Sequence, residues 1–314
     1  MTIYYVPEPH RWRFAGTDSM SNIRQGCCVI PRFGLFKSYF SIFSTQGELY
    51  IMTGNMKKIL TTACRAAREA GAIVMKYYSG PTVRYKGSND PVTQADLGSQ
   101  KKIITVIQEE FPHHHFLKEE GGDNDDLLSE HLWIIDPLDG TKNYVGGFPH
   151  FGISIACAEK GVLIAGVVYD PVRDELFSAC AQEQARLNGK IIHPSETAEL
   201  KHALLATGFS TNRGIPMKKT MHVMEKLLSK NIRGIRRTGS AALDLCWVAC
   251  GRLDAYFEYS LNIWDFAAGA CIARQSGAVC TNRTGSKLRL DSPGVIAANK
   301  RLVARVKRNV AWKM

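Results

Sequence analysis

The sequence contains no CxxC pair, although it has nine cysteines scattered between Cys27 and Cys280. Paired cysteines at that spacing are typical of zinc ribbons and thioredoxin-like redox motifs, so their absence argues against both classes. An odd number of scattered thiols is also unlike a disulfide scaffold. We therefore expect the cysteines to be small buried hydrophobic side chains in a protein of the reducing cytoplasm.

Long apolar segments are also missing. No run of about 18 uncharged apolar residues is present, which predicts no transmembrane helix and no membrane partner. The most apolar early stretch, residues 28–43, contains Pro31, Arg32 and Lys37 and is a poor signal peptide. The P-loop pattern GxxxxGKS/T and the nucleophile pattern GxSxG are absent, so neither of those enzyme classes is supported.

The chain does have enough apolar sequence for a large core, and it has a strong excess of positive charge. Of its 314 residues, 45% are hydrophobic and 22% are charged, which are fractions typical of a globular protein. Lys and Arg total 40 against 29 Asp and Glu, which gives a net charge of +11. This balance indicates a polyanionic partner, either nucleic acid or a phosphorylated substrate, and does not choose between them.

The first 55 residues differ from the rest because they show neither helical nor strand periodicity. A clean helical pattern begins at Met56 and predicts a helix over about Lys57–Tyr78, in which Ala63, Ala67, Ala70 and larger apolar residues recur at three- and four-residue spacing. We predict that residues 1–55 are an extension, weakly ordered or arising from a misassigned start, and that residues 56–314 form the main domain. Downstream, helices alternate with several hairpin-like strand pairs. This order predicts a layered α/β architecture rather than a purely parallel doubly wound sheet.

The segment Trp133–Thr141, with the sequence WIIDPLDGT, carries the strongest chemical signal. An apolar strand leads into two carboxylates three residues apart, Asp136 and Asp139. The turn is fixed by Pro137, which restricts φ, and by Gly140, which permits a positive φ. Such a turn can direct both carboxylates and a main-chain carbonyl to one point, the environment that Mg²⁺ prefers. An ordinary Asp-Gly turn is the alternative.

Other acidic residues stand at positions that suit either chemistry or simple structure. Glu119 and Glu120 follow an apolar stretch, where a solvated acidic turn is the alternative. Asp265 stands at a strand-to-helix junction and Asp96 at the start of another helix, and for both a helix cap is the alternative. The histidines His113–His115 are interpreted as a surface feature, because consecutive strand residues point to opposite faces.

Two segments together resemble a known family. DPLDGT at 136–141 and WDFAAG at 264–269 are similar to the signature motifs of the inositol monophosphatase family, and RTGSAA at 237–242 resembles its bacterial branch. The similarity extends over about Met56 to Arg308. It implies a five-layered α-β-α-β-α sandwich that hydrolyses myo-inositol 1-phosphate or a related polyol or sugar monophosphate. It also implies two or three Mg²⁺ ions that activate the attacking water, inhibition by Li⁺, and a homodimer.

The resemblance further implies roles for individual residues. The implied metal ligands are Glu119, Asp136, Leu138 through its carbonyl, Asp139 and Asp265. Asp136 would bridge two ions. Thr141, hydrogen-bonded to Asp96, would orient the attacking water, and these two form the implied catalytic pair. The implied substrate-binding residues are Leu138, Asp139, Gly140, Thr141, Arg236, Gly239, Ser240, Ala241, Glu258 and Asp265.

The exact substrate and the class of function stay open. Lys142 and Asn262 depart from the family pattern, and sister phosphatases acting on fructose 1,6-bisphosphate, histidinol phosphate or a 3′-phosphonucleotide share the metal motifs. The alternative of another class is a protein associated with RNA or a transcription complex, in contact with RNA or RNA polymerase. Its basis is the net charge and the bacterial resemblance, and no RNP, KH or helix-turn-helix pattern supports it.

Overall fold

The computed structural model describes residues 2–4, 13–15, 54–87, 90–121, 124–209 and 214–312. The chain divides into two compact units, Met1–Phe40 and Ser41–Met314. In the first unit, β1 (Thr2–Tyr4) and β2 (Arg13–Ala15) form an antiparallel pair that the sequence analysis did not predict. The rest of the predicted extension, up to residue 53, lies outside the described residues. The alternatives of a weakly ordered extension and a misassigned start therefore stay predictions.

The described part of the second unit alternates helices and strands as predicted. Its helices are α1 (Gly54–Tyr77), α2 (Gln94–Glu110), α3 (Thr141–Val145), α4 (Ile215–Leu228), α5 (Ala241–Ala249), α6 (Ile263–Ser276) and α7 (Val303–Val310). Its strands are β3 (Val83–Gly87), β4 (Asp90–Thr93), β5 (His115–Lys118), β6 (Leu132–Asp139), β7 (Gly152–Glu159), β8 (Val162–Asp170), β9 (Glu175–Cys180), β10 (Arg186–Leu187), β11 (Lys190–Ile191), β12 (Leu204–Thr207), β13 (Gly234–Arg236), β14 (Ala255–Glu258), β15 (Val279–Asn282) and β16 (Val295–Ala298). Across the described ranges, none of the helices has the length and apolar character needed to cross a bilayer.

Two mixed sheets organise these elements. The first has seven strands in the order β11-β10-β9-β8-β7-β6-β5, and within it β5 and β6 are parallel while the other neighbours are antiparallel. The second has five strands in the order β13-β12-β14-β16-β15, with β12 parallel to β13 and to β14. The predicted contrast with a purely parallel sheet is therefore confirmed.

The helices form three layers around these sheets. Helices α1 and α2 pack on one face of the seven-stranded sheet, and α5 and α6 lie between the two sheets. Helix α7, which contacts α4, covers the outer face of the five-stranded sheet. Three buried apolar clusters fill the spaces between these layers. The order helix, sheet, helix, sheet, helix confirms the expected five-layered sandwich.

Small side chains set the close approach of α1 to the sheet. Ala63, Ala67 and Ala70 recur at three- and four-residue spacing and are at most 1% exposed. At Gly71, a Cβ atom would lie 2.5 Å from the ring of Tyr169 on β8, so any larger residue would push the ring away. The alanine-rich face predicted from the sequence is therefore the face that packs on the sheet.

Candidate active site

The turn at the end of β6 has the geometry that its sequence predicts. All eight residues of β6 are buried, and its register against β7 shifts between Asp136 and Asp139, so the strand bulges there. Gly140 has a φ of 92°, and a Cβ there would lie 3.1 Å from the carbonyl oxygen of His150. Glycine is therefore required for its positive φ and for the close approach. The Ser99 hydroxyl holds the far side of the bulge by donating to the Pro137 carbonyl at 2.8 Å.

Thr141 follows this turn and makes the contact expected with Asp96. Its hydroxyl oxygen lies 3.2 Å from Oδ1 of Asp96 and 3.0 Å from the carbonyl oxygen of Leu138. A hydroxyl has one proton, so it donates to one of these acceptors at a time. The side chain of Leu138 is fully buried in the core, and its carbonyl faces the Thr141 hydroxyl.

Asp96 combines the two roles that the sequence left as alternatives. It is the third residue of α2, and its Oδ2 accepts from the main-chain N–H of Thr93 at 2.7 Å and from the Thr93 hydroxyl at 2.6 Å, which completes a capping box. Its other oxygen faces Thr141. Burial raises the pKa of Asp96, and the bonds from Thr93 oppose that shift.

Glu119 and Glu120 point in different directions. Glu119 lines the pocket and shares a hydrogen bond with Asp136, and burial raises its pKa to about 7. Glu120 is 6% exposed and pairs with Lys86 at 2.7 Å, while its main chain exchanges two hydrogen bonds with Gln100. The solvated-turn alternative is therefore wrong for this pair, and Glu119 rather than Glu120 is the residue that lines the pocket.

Asp139 and Asp265 reach the same region from different layers. Asp139 accepts hydrogen bonds from the Ser240 hydroxyl at 2.6 Å and from the N–H of Ala242 at 2.8 Å, and burial raises its pKa to about 6. Asp265 is the third residue of α6, where it accepts from the N–H of Asn262 at 2.7 Å. The helix-capping alternative for Asp265 is thus correct as a contact, and the same carboxylate also lines the pocket.

The four acidic side chains, Glu119, Asp136, Asp139 and Asp265, lie close enough to disfavour one another's negative charge. Burial raises the pKa of Asp136 well above its ordinary value, and the nearby charges of Glu119, Asp139 and Asp265 raise it further. Within the described ranges, no three His, Cys, Asp or Glu side chains already converge as a metal cage. Their oxygens instead accept hydrogen bonds from groups of the protein, as Asp139 does from the Ser240 hydroxyl. Hard, mutually repelling oxygens are the donor set that suits Mg²⁺.

A pocket of about 700 Å³ opens beside this cluster. The expected residues in its wall are Glu119, Asp139, Gly140, Thr141, Gly239, Ser240, Ala241, Glu258 and Asp265. Three more expected site residues, Asp96, Asp136 and Leu138, are buried and do not line it. The wall also contains residues that the sequence analysis missed, among them Lys86, Arg237, Asp244 and Tyr256.

Arg236 requires a correction. It ends β13, is exposed, and donates to the adjacent Ile235 carbonyl at 3.3 Å, whereas Arg237 lines the pocket with its guanidinium beside Gly239. Neighbouring residues of an extended segment face opposite sides, so the choice between adjacent arginines depends on the register. The doublet in the sequence could not decide it.

Glu258, the last residue of β14, also lines the pocket. It is 7% exposed, and its Oε2 accepts from the Tyr256 hydroxyl at 2.6 Å. Burial raises the pKa of Glu258 to about 8. Gly208 packs against this carboxylate so closely that a Cβ there would lie 1.9 Å from Oε2. The two-residue spacing of Tyr256 and Glu258 on β14 is a signal that could have identified the tyrosine.

A buried network behind the pocket was not predicted. The Asn143 amide donates to the carbonyls of His150 at 2.6 Å and Thr238 at 2.8 Å. The Thr238 hydroxyl donates to Asp244, whose Oδ1 lies 3.6 Å from Nε2 of His150. These contacts join residues up to 95 positions apart and fix the loop that leads to Gly239.

Two of the three histidines lie at the surface as expected, and His114 is half-buried. His113 and His115 are exposed, and His114 stacks between Phe111 and His131 while accepting from the Trp133 indole at 3.0 Å. None of the three lines the acidic pocket. The cysteines among the described residues are free, and most are buried, as expected.

Known proteins match most of this chain. Residues 55–311 match the inositol monophosphatase family. The Nus factor SuhB of Salmonella typhimurium strain LT2 is 40% identical over 258 residues, which are 81% of this chain and 96% of that protein. The suhB protein of Bartonella henselae has a TM-score of 0.77 and 33% identity, covering 82% of this chain and 100% of that one. An inositol monophosphatase from Anabaena has a TM-score of 0.74 and 36% identity, covering 81% and 96%. With a family model that matches most of its length and relatives of this identity and coverage, the chain belongs to the inositol monophosphatase family.

Proposed function

We propose that the protein is a Mg²⁺-dependent phosphatase that hydrolyses myo-inositol 1-phosphate or a related polyol or sugar monophosphate. The observation that carries the proposal is the gathering of Glu119, Asp139 and Asp265 in the wall of one pocket with Thr141, next to the buried carboxyl of Asp136. Phosphate monoester hydrolysis is among the slowest uncatalysed reactions, so charge neutralisation and positioning are what an enzyme must provide. The family relationship supports the same chemistry.

The implied ligands fit the ion. Glu119, Asp136 and the Leu138 carbonyl would hold one Mg²⁺, and Asp136, Asp139 and Asp265 a second. When bound, the ions would neutralise charge on the phosphate and stabilise the departing oxygen. The protein itself supplies the rigid bulge of β6, which holds Asp136 and Asp139 on one side of the pocket.

Thr141 and Asp96 would orient the attacking water. The Thr141 proton is directed to Asp96 or to the Leu138 carbonyl, which leaves a lone pair of its oxygen free to accept a hydrogen bond. A water molecule that donates to this oxygen is held in one direction. Because Thr93 fixes Asp96 through two short bonds, the acceptor cannot rotate away.

Other residues of the pocket wall would bind the rest of the substrate. Lys86, Lys142 and Arg237 place positive charge around a pocket that receives a phosphate dianion. Glu258 gives one oxygen to Tyr256, so its other oxygen can accept from a substrate hydroxyl. A hydroxyl acceptor at this depth favours a polyol or sugar over an alkyl phosphate.

Phosphate release from a substrate panel at fixed Mg²⁺ tests the proposal. The panel is myo-inositol 1-phosphate, fructose 1,6-bisphosphate, histidinol phosphate and a 3′-phosphonucleotide. We expect the inositol ester to be hydrolysed well and Asp139→Asn to lower kcat below about one hundredth of the parent value. The control is Asp174→Asn, which makes the same chemical change at an exposed position. An Asp139→Asn protein with near-parent kcat would falsify the ligand assignment.

A second role in transcription is favoured by the relatives that are named Nus factors and by the net charge of +11. We propose contact with RNA or RNA polymerase as an additional function in the cytoplasm. Binding of structured RNA to the Asp139→Asn protein should weaken steeply with salt, because phosphate contacts release counterions. Salt-independent binding would argue against it.

The expected homodimer is tested by light scattering against a chain mass of 34.9 kDa.

A further inference from the structure

A second cavity, of about 530 Å³, lies apart from the candidate active site and shares none of its lining residues. We call it the distal cavity. It is formed by the loop 126–128, the β7–β8 turn at 160–163, the loop 287–291, and Phe266 and Arg274 of α6. Its volume lies in the range of small-molecule sites. The first turn of α6 separates the two cavities, because Asp265 lines one and Phe266 the other.

The floor of the distal cavity is apolar. Phe266, Leu288 and Leu290 are buried beneath it. At its rim, Leu128 is 71% exposed and Val162 is 47% exposed, so two large apolar side chains are left in water. A ligand with an apolar body would cover them and gain from removing that surface from solvent.

The rim of the distal cavity carries an excess of positive charge. Four cations line it, Lys160, Arg274, Lys287 and Arg289, against two carboxylates, Asp126 and Asp291. Asp291 is already paired with Arg289 at 3.1 Å. Lys160, Arg274 and Lys287 make no ion pair with any residue in the described ranges.

Arg274 is held in place without being neutralised. Its guanidinium donates to the Leu288 carbonyl at 3.1 Å, which uses one of five N–H groups. A guanidinium fixed at an apolar floor offers directed donors to an anion. This combination of an apolar floor and unneutralised cations distinguishes the distal cavity from the active-site pocket. Without a bound metal ion, the carboxylates of the active-site pocket would repel an anion.

We propose that the distal cavity binds an organic anion that joins an apolar body to a carboxylate, phosphate or sulfonate group. The apolar body lies on Phe266 and Leu290 between Leu128 and Val162, and the anionic group faces Arg274 and the two lysines. A polyol phosphate does not fit this description, because its hydroxyl groups would lie unpaired on an apolar floor. The ligand is therefore of a different class from the proposed substrate.

The test uses anilinonaphthalene sulfonate, an aromatic anion whose fluorescence rises in apolar sites, in titrations of the folded full-length protein. Its uncharged counterpart is N-phenylnaphthylamine. We expect the double variant Lys160→Glu/Lys287→Glu to weaken sulfonate binding about tenfold or more and to change binding of the neutral probe less than about twofold, because attraction is replaced by repulsion. The matched control, Lys218→Glu/Lys230→Glu, makes the same charge change on exposed lysines near α4.

A second variant separates the apolar contribution. Leu128→Ser should weaken both probes, since it removes apolar surface and no charge. Saturating myo-inositol, an uncharged probe for the active-site pocket, should leave sulfonate binding unchanged. Equal sulfonate affinity for parent and Lys160→Glu/Lys287→Glu, or displacement of the sulfonate by myo-inositol, overturns the proposal. Unchanged melting temperatures of all variants establish that binding is to the native fold.

Discussion

Replacement of Asp96 by Asn should reverse the direction of the hydrogen bond between residue 96 and the Thr141 hydroxyl, while leaving the fold almost intact. Oδ2 of Asp96 receives two donors from Thr93, so the amide oxygen of Asn would take that position. Its NH₂ group would then face the Thr141 hydroxyl, 3.2 Å away, and donate to it. Thr141 would be left to donate to the Leu138 carbonyl, one of its two lone pairs would be occupied by the amide, and no carboxylate would remain to take up the proton of a water molecule.

The magnitude follows from the loss of a positioned proton acceptor. General-base assistance contributes about 10²–10⁴-fold, so kcat of Asp96→Asn should fall by that factor at saturating Mg²⁺ and substrate. Thr141→Val should lose a similar factor, and the double variant should lose little more, because both changes remove one function. Thr93→Ala is the matched control for capping. It removes the hydroxyl bond to Asp96 and keeps the main-chain N–H bond that holds the same oxygen, so it should lower the free energy of unfolding by about 1 kcal/mol and change kcat little.

The assay is phosphate release from myo-inositol 1-phosphate, with melting temperature and Mg²⁺ affinity measured for each variant. Three results would refute the reasoning. They are a near-parent kcat for Asp96→Asn, losses in kcat that multiply in the double variant, and a kcat for Thr93→Ala as low as that of Asp96→Asn. The last result would show that the capping box, and not the Thr141 contact, controls turnover.

Two further changes test other parts of the structure. Gly208→Ala places a methyl group 1.9 Å from Oε2 of Glu258 and should displace that carboxylate. We therefore expect a severalfold rise in KM, and weaker binding of inositol without metal in calorimetry. Unchanged values of both would contradict the close packing. Burial and the neighbouring His131 lower the pKa of His114 from 6.5 to about 4. Between these two pH values, the unfolded chain binds a proton at this histidine and the folded chain does not. The free energy of unfolding therefore falls as the pH drops below about 6.5. His114→Gln should therefore lose less melting temperature between neutral pH and pH 5 than the parent, and the exposed control His113→Gln should behave like the parent.

The elements that the sequence predicted well are those with long, strongly periodic patterns. Helix α1 was expected at Lys57–Tyr78 and spans Gly54–Tyr77, because many alanines repeat along one face. Strands β15 and β16 were missed, since each has four residues and no alternation of apolar and polar side chains. Such short buried strands are defined by their neighbours in the sheet rather than by local sequence.

The candidate site divides in the same way. Asp136, Asp139 and Gly140 lie within one turn, so Pro and Gly chemistry was sufficient to predict their geometry. The pocket position of Arg237 and the contact of Tyr256 with Glu258 depend on strand register and on elements far apart in the chain. Local sequence contains no information on which of two adjacent arginines faces inward, and so Arg236 was chosen wrongly.

The bonds from Ser240 and Ala242 to Asp139 have a consequence for the order of folding. They join residues 101 and 103 positions apart, and Asp139 belongs to the first sheet while its donors begin the helix between the sheets. During synthesis, the strands around Asp139 emerge well before these donors. The Asp139 carboxylate therefore stays hydrated by water until Ser240 and Ala242 are in place. Closing such distant contacts is slow and comes after local pairing. Competence for catalysis should therefore arise only in the last step of folding, and molecules stalled earlier would have near-native secondary structure and no active site.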